Sequence, residues 1–419
     1  MIIQELGTYL HRERIGALVR FDDDRMLFVF DASYAERVNR DVLSLAYTDS
    51  NGDLIDDSRT TLRRAPPFFS NLLPEGHLRS YLASKARVKE SRDYPLLTLL
   101  GRDLPGAIEM LDETSSSASP SRISITNESQ TPMEPNALRF SLAGVQLKIS
   151  AILAPAGGLT VPTSGLDGEW IVKFPSSTFQ ALPQNEFSML RLASMVGIEV
   201  PEARLVKLNQ IEGIPSDFPN SDLQEDVALA VKRFDRPKQG TKTHTEDFAQ
   251  VFKLYPERKY ERYGYVAIGR TLAAYTNDQS IDQFARRLIF CAMIGNEDMH
   301  LKNWSVIYEN RKSPELSPAY DLVSTVSYVN DDSMALRLAP GVKRWREMTM
   351  AAFESFASRV GVHRAGLLRP VKETIERFQD VWQIEKNHLP ISKRVATSID
   401  NQLELVPIIA ESRVPHKKR

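Results

Sequence analysis

The stretch Gly295-Asn296-Glu297-Asp298-Met299-His300-Leu301-Lys302-Asn303, followed downstream by Tyr320-Asp321, decides how the rest of the chain is read. An acid, Asp298, is followed five residues later by an amide, Asn303, and then by a second acid, Asp321. Magnesium-dependent phosphoryl transfer needs those groups: a carboxylate to accept a hydroxyl proton, and an amide and a second carboxylate to hold metal on the phosphates. Asp and Asn are also ordinary turn residues, so the spacing alone has little force. The flanks supply it. Upstream, Ile281, Phe284, Leu288 and Ile289 recur at helical spacing, with Ser280 and Gln283 as a capping box and Gly295 as the helix stop. Downstream, Asn303-Trp304-Ser305-Val306-Ile307-Tyr308 reads as an apolar strand. A polar loop held between a buried helix and a buried strand is not a solvated surface turn.

Composition bounds the remainder. A chain of 419 residues exceeds one ordinary core, so two or three domains are expected. Apolar content of 42% beside 26% charged residues describes a soluble globular protein. No apolar run approaches the roughly 20 residues of a membrane span, and Met1-Ile2-Ile3-Gln4-Glu5 has neither a basic nor an apolar leader region, so a cytoplasmic location with no membrane partner is expected. The formal charge of −1 argues against a large sequence-independent nucleic-acid surface, though the tail His416-Lys417-Lys418-Arg419 is a local basic patch. Cys291 is the single cysteine, lies in the apolar helix, and reads as a small core residue.

Working outward along the chain, residues 16–21 and 26–30 flank the acidic turn Asp22-Asp23-Asp24 as a hairpin, and residues 45–48 before Asn51-Gly52 give a second hairpin signal. Helical stretches at 74–83 and 95–100 complete a small α+β domain over residues 1–112. Residues 113–137 are rich in Ser, Pro and Thr and read as a linker. Strand-like runs at 138–141, 147–153, 169–174 and 228–234, interrupted by one helix at 184–196, form a sheet-rich lobe over 138–237. From residue 238 to 419 the pattern is helical apart from the loop and strand around Asp298 to Asp321. The expected class is α+β: a bilobal, protein-kinase-like fold with a small β-rich lobe and a larger helical lobe, preceded by the small α+β domain.

The remaining parts of a phosphoryl-transfer site appear in protein-kinase order. Ser141-Leu142-Ala143-Gly144-Val145-Gln146-Leu147-Lys148 joins two predicted strands with small residues that let backbone N–H groups approach phosphates. By itself it is equally well a plain hairpin turn. Lys173 ends an apolar strand, as a lysine reaching the α- and β-phosphates does, and Glu186 on the next helix is its candidate ion-pair partner. The bland alternative is a lysine extending from a strand end and an unrelated solvated glutamate. Order favours the functional reading, because loop, strand lysine, helix glutamate, acid, amide and acid follow one another. His300 lacks a zinc-type cluster and is assigned an orienting role, and the hydroxyls of Ser70 and Ser324 lack a neighbouring base pattern.

These residues resemble the HipA-type toxin serine/threonine kinases of bacterial type II toxin–antitoxin systems. Phe69-Ser70-Asn71-Leu72-Leu73-Pro74-Glu75-Gly76 and Gly101-Arg102-Asp103-Leu104-Pro105-Gly106-Ala107 are similar to that family's N-terminal domain, and residues 141–148, 231–236, 295–303 and 319–321 to its kinase domain. The resemblance implies that Asp298 accepts the substrate proton, that Asn303 and Asp321 bind Mg²⁺, and that Lys173 contacts ATP phosphates. It further implies nucleotide contacts from Ala143, Gly144, Val145, Gln146, Leu147 and Lys148, from Lys232, Arg233 and Phe234, from His300, Leu301, Lys302 and Asn303, and from Tyr320. Ser141 matches the family's inhibitory autophosphorylation position. Two positions depart from the family pattern: Leu147 and Lys232 stand where acidic residues are frequent, and both can contact nucleotide through backbone atoms.

The expected function is therefore an ATP- and Mg²⁺-dependent serine/threonine-protein kinase that inhibits growth. The resemblance also implies a small helix-turn-helix antitoxin (HipB-like) as partner, operator DNA reached mainly through it, and an aminoacyl-tRNA synthetase or other translation component as target. Two other readings remain open at the level of sequence. One is a small-molecule or lipid-headgroup kinase of similar fold; the other is a non-catalytic, nucleotide-binding co-repressor.

Overall fold

A computed structural model describes residues 3–57, 59–113, 147–153, 159–161, 168–214, 218, 225–238, 240–329 and 331–412. Ser141, Ala143, Gly144, Val145 and Gln146, most of the Ser/Pro-rich segment and the strand expected at 138–141 lie outside these residues. The chain divides into two compact units. One comprises Met1–Val172, Asn209–Ser221 and Asp235–Pro256, and the other Lys173–Leu208, Asp222–Phe234 and Glu257–Arg419.

The first unit is built on a five-stranded antiparallel sheet in the order Thr61–Leu62, Arg25–Phe30, Glu13–Arg20, Gln4–Leu10, Ile108–Asp112. Its register aligns Leu6 with Leu18 and Leu18 with Phe28, so alternate residues from three strands fall on one buried face. The hairpin expected around Asp22-Asp23-Asp24 is present. The second hairpin signal is realised as a tight turn without extended strands: Leu45–Tyr47 forms a 3-10 turn, and the chain folds back about Asn51-Gly52 through an antiparallel bridge from Thr48 to Leu54, with the Asp49 N–H donating to the Asp53 carbonyl and the Ile55 N–H to the Tyr47 carbonyl, both at 2.9 Å. Ser44 takes the capping role, accepting from the Ala46 N–H, and Glu246 accepts from the Leu45 N–H at 2.8 Å, so side chains hold residues 45–47 in the 3-10 form and leave the ladder only its last pairs. Helices Gly76–Lys85 and Asp93–Leu100 follow. Asp93, buried at the start of the latter, is compensated by Arg79 Nη2 at 2.6 Å and the Ala65 N–H at 3.0 Å.

In the second unit the strands Ala203–Lys207 and Val227–Lys232 pair antiparallel, and the helix Leu182–Met195 carries Glu186. Helices Tyr265–Tyr275, Asp278–Ile294, Met350–Val360, Arg364–Glu385 and Lys393–Leu405 make the helical body. Asp278–Ile294 is the axis of its core, with Phe284 against Trp304 and Phe356, and Phe290 against Phe378. The expected capping box at Ser280 and Gln283 is corrected: the helix begins at Asp278, and Asn277 is its cap, accepting from the Ser280 N–H at 2.9 Å. Ser280 Oγ accepts from Leu316 N–H, while Gln283 bonds the Glu199 N–H and the Gly197 carbonyl. Both side chains serve tertiary contacts in place of the cap. Among the described residues no helix is long and apolar enough to cross a membrane.

Candidate active site

The helix Asp278–Ile294 is stopped by Gly295, whose φ of 62° lies in the left-handed region. A Cβ at this position would stand 2.4 Å from Val326 Cγ2, so backbone conformation and packing both require glycine. The chain then enters the polar loop through buried Asn296. Its Oδ1 accepts from the Asp298 N–H at 3.1 Å, and its Nδ2 lies 3.4 Å from the Asp321 carbonyl oxygen. One amide thus ties the Asp298 loop to the backbone of Asp321. The Asp298 carbonyl accepts from His300 N–H and from Asn303 Nδ2, both at 2.8 Å, which closes the 3-10 turn Leu301–Asn303 beneath it. The Asp298 side chain remains 54% exposed, accepts from the Tyr260 hydroxyl, and has His300 Nε2 at 3.8 Å.

Lys173, at the end of the strand Trp170–Lys173, is buried. Its Nζ lies 2.5 Å from Glu186 Oε1 and also contacts Asp321 Oδ1. Burial alone would push this ammonium down, but the charges of Asp321 and Glu186 outweigh burial and hold it above the ordinary lysine value. Asp321 itself has a φ of 53°, a conformation that Asp tolerates better than most residues. One residue before Glu186, Asn185 accepts from the Ser324 N–H and donates to the Ser324 carbonyl, both at 3.1 Å. The Glu186 helix and the segment after Asp321 are therefore fixed to each other.

Tyr320 donates its hydroxyl to the Lys302 carbonyl at 2.9 Å, and its ring lies 5.8 Å from that of Phe234, tilted by 33°. Beside Phe234, the Lys232 N–H bonds the Glu202 carbonyl at 2.8 Å and Arg233 is buried. The second unit thus brings together Lys173, Glu186, Asp298, His300, Asn303 and Asp321, with Phe234, Lys302 and Tyr320 in one connected patch. Leu147 and Lys148 belong to the first unit, where Lys148 opens the strand Lys148–Leu153. Cys291 is buried, and burial pushes its thiol up to about 12, a state without nucleophilic character. Among the described residues no group of three or more His, Cys, Asp or Glu is placed to hold a metal ion, and Asn303 with Asp321 supplies one amide and one carboxylate.

Three contributors escaped the reading of the sequence. Asn296 stood inside the quoted motif but had no assigned role; its neighbour relationship to Asp298 was the available signal. Glu297 was likewise unassigned. Burial first, and then the charges of Asp331 and Asp332, push its carboxyl up to about 8. Tyr260 lies far upstream, and no local spacing marked it.

Comparison with known proteins identifies two consecutive matches. The pattern of the HipA N-terminal domain matches residues 6–111, and that of the HipA-like C-terminal domain matches residues 140–382. A Sinorhizobium fredii protein named "Putative kinase Y4dM" is 43% identical over 410 residues, covering 97% of this chain and 98% of the relative. A second from the same organism, "Putative kinase Y4mE", is 30% identical over 333 residues, covering 72% of this chain and 74% of the relative. Among solved structures, HipA of Shewanella oneidensis, in a complex with HipB and its operator DNA, superposes with a TM-score of 0.71 at 21% identity, covering 97% of this chain and 96% of that one. That likeness shows a shared, kinase-like α+β fold.

Proposed function

The chain belongs to the HipA family and is kinase-like, and on that premise we propose that it is a Mg·ATP-dependent serine/threonine-protein kinase. One observation carries the proposal: Lys173 is buried between Glu186 and Asp321, and Asp321 is tied through Asn296 to the loop that presents Asp298. A buried lysine kept cationic by two carboxylates is suited to phosphate oxygens. The amide of Asn303, with its nitrogen committed to the Asp298 carbonyl, and the carboxylate of Asp321 offer oxygen donors, which suits a hard divalent cation such as Mg²⁺. When bound, Mg·ATP supplies the transferable phosphoryl group and neutralises its charge.

The chain's own residues would then divide the work. Lys173 binds the phosphate chain, and Glu186 holds Lys173 in place. Asp298, exposed where the acceptor arrives, orients the serine or threonine hydroxyl and accepts its proton. His300 braces that loop, while Phe234 and Tyr320 border the nucleotide together with backbone groups of 232–234 and 301–303. Nucleotide contacts from Ala143, Gly144, Val145, Gln146, Leu147 and Lys148 are proposed from the family resemblance alone.

The proposal extends to biology: a cytoplasmic growth inhibitor partnered by a helix-turn-helix antitoxin, reaching operator DNA mainly through it, and modifying a translation component such as an aminoacyl-tRNA synthetase. The HipA of Shewanella oneidensis, solved with HipB and operator DNA, supports the partner assignment. Ser141 is proposed as an inactivating autophosphorylation site, since a dianionic phosphate at the head of the loop would compete for the donors that ATP uses. Calorimetric titration tests nucleotide use: Mg·ATP should bind the wild type and bind Asp321→Asn far more weakly, whereas equal affinities would refute the metal assignment. Mass spectrometry after incubation with Mg·ATP should place phosphate on the Ser141 peptide, and an always unmodified Ser141 in an active protein would remove that switch.

A further inference from the structure

Tyr260 precedes Asp298 by 38 residues and lies outside every motif quoted above, yet its hydroxyl donates to Asp298 Oδ1. Two further contacts fasten its segment to the same loop. The Leu301 N–H donates to the Lys259 carbonyl at 3.2 Å, and the Tyr260 ring stands edge-on to His300, with centroids 4.9 Å apart and planes at 79°. His300 is buried, whereas Asp298 is more than half exposed. A short exposed aspartate has several staggered rotamers open to it. Tyr260 is itself 48% exposed, but its ring rests edge-on against buried His300, and a hydroxyl carried by that ring selects one of them.

We propose that Tyr260 is a positioning residue for phosphoryl transfer, its hydroxyl holding the Asp298 carboxylate in the orientation from which it accepts the substrate proton. The role rests on the kinase function proposed above. In the transfer, the bond from the acceptor oxygen to the γ-phosphorus forms as the bond to the bridging oxygen of ATP breaks. ADP leaves with that electron pair, and the acceptor proton passes to Asp298. Tyr260 keeps its own proton throughout, so its contribution is geometric: the acceptor hydroxyl meets a carboxylate already aimed, and the rate depends steeply on such alignment.

The full-length protein, its Tyr260→Phe, Tyr260→Leu and Asp298→Asn variants, Mg·ATP labelled on the γ-phosphate and a serine/threonine peptide library provide the test. Tyr260→Phe keeps the ring against His300 and removes only the hydroxyl. It should lower the turnover rate roughly tenfold, as loss of a hydrogen bond to a charged group does, with KM for Mg·ATP and the thermal midpoint unchanged. Tyr260→Leu should lower the rate at least as much and lose stability as well. Wild-type turnover in Tyr260→Phe with a loss confined to Tyr260→Leu would make the role one of packing and overturn the proposal. Faster transfer by Tyr260→Phe would overturn it too, because the hydroxyl would then be blocking the acceptor position. A parallel fall of rate and thermal midpoint in Tyr260→Phe would assign a structural role instead. Absence of Asp298-dependent transfer in the wild type would be a different failure, that of the kinase function itself, and the Tyr260 role would fall with it.

Discussion

Lys173 Nζ lies 2.5 Å from Glu186 Oε1, and the two side chains are only 5% and 2% exposed. With Asp321 on the same ammonium, a strand end, a helix and the segment after the acidic loop converge on one buried cation. The charges of Lys173 and Glu186 are tolerable in the interior only because each has the other, with part-exposed Asp321 as a further partner of the ammonium.

Lys173→Met should therefore unfold more easily as well as lose nucleotide binding. The substitution strands Glu186 in a buried position, and breaking a buried pair from one side costs about 3–5 kcal/mol. Denaturant titration should show that loss, and Lys173→Met combined with Glu186→Leu should recover much of it. A single variant as stable as the wild type would mean that the pair is solvated and not the buried lock described here.

Much of this lock was legible in the sequence because it depends on chain order and local pattern. The apolar run before Lys173 marks a strand, the stretch 184–196 a helix, and Glu186 follows as the carboxylate one element on. The loop from Gly295 to Asn303 was legible for the same reason: a periodic helix, a glycine stop and an apolar strand leave few places for the polar residues between them. What escaped depends on contacts distant in sequence. Ser280 had the form of a cap, yet its oxygen is taken by Leu316 N–H and the cap falls to Asn277. The bond from Tyr260 to Asp298 follows from how the loop after Pro256 packs, which no periodicity records.

Gly295→Ala should disturb the site without touching a reacting group. Forcing a Cβ into left-handed backbone costs about 1 kcal/mol, and contact with Val326 adds to it. Because the Gly295 carbonyl accepts from Thr325 Oγ1 at 3.0 Å and the Val326 N–H at 3.1 Å, the strain passes into the start of the Asp298 loop. Thermal denaturation should show a total loss of about 2 kcal/mol with reduced transfer. Adding Val326→Ala should restore part of the stability, and a Gly295→Ala protein of wild-type stability and activity would contradict the geometry.

Glu297 predicts a pH dependence of stability. Its carboxyl is raised from 4.5 to about 8 in the folded protein, by burial and then by Asp331 and Asp332. The folded state therefore holds a proton that the unfolded chain releases earlier, so this group favours folding fully below about 4.5, and its contribution declines as pH rises toward about 8. Glu297→Gln removes the titration. The difference in thermal midpoint, variant minus wild type, should become more positive from pH 5 to pH 8 and level off above it. A difference independent of pH would place the Glu297 carboxyl in ordinary solvent.

The most direct measurement of the central claim is quantitative phosphoproteomics of cells expressing the wild type, Asp298→Asn or Asp321→Asn at equal, soluble levels. Asp298 should be needed for proton acceptance and Asp321 for metal, while each Asn variant keeps nearly the same shape, and Asn tolerates the left-handed backbone of residue 321. The account predicts serine or threonine phosphopeptides, from a translation component foremost, that rise with growth arrest only in the wild type. Equal growth arrest and an unchanged phosphoproteome across all three proteins would contradict it.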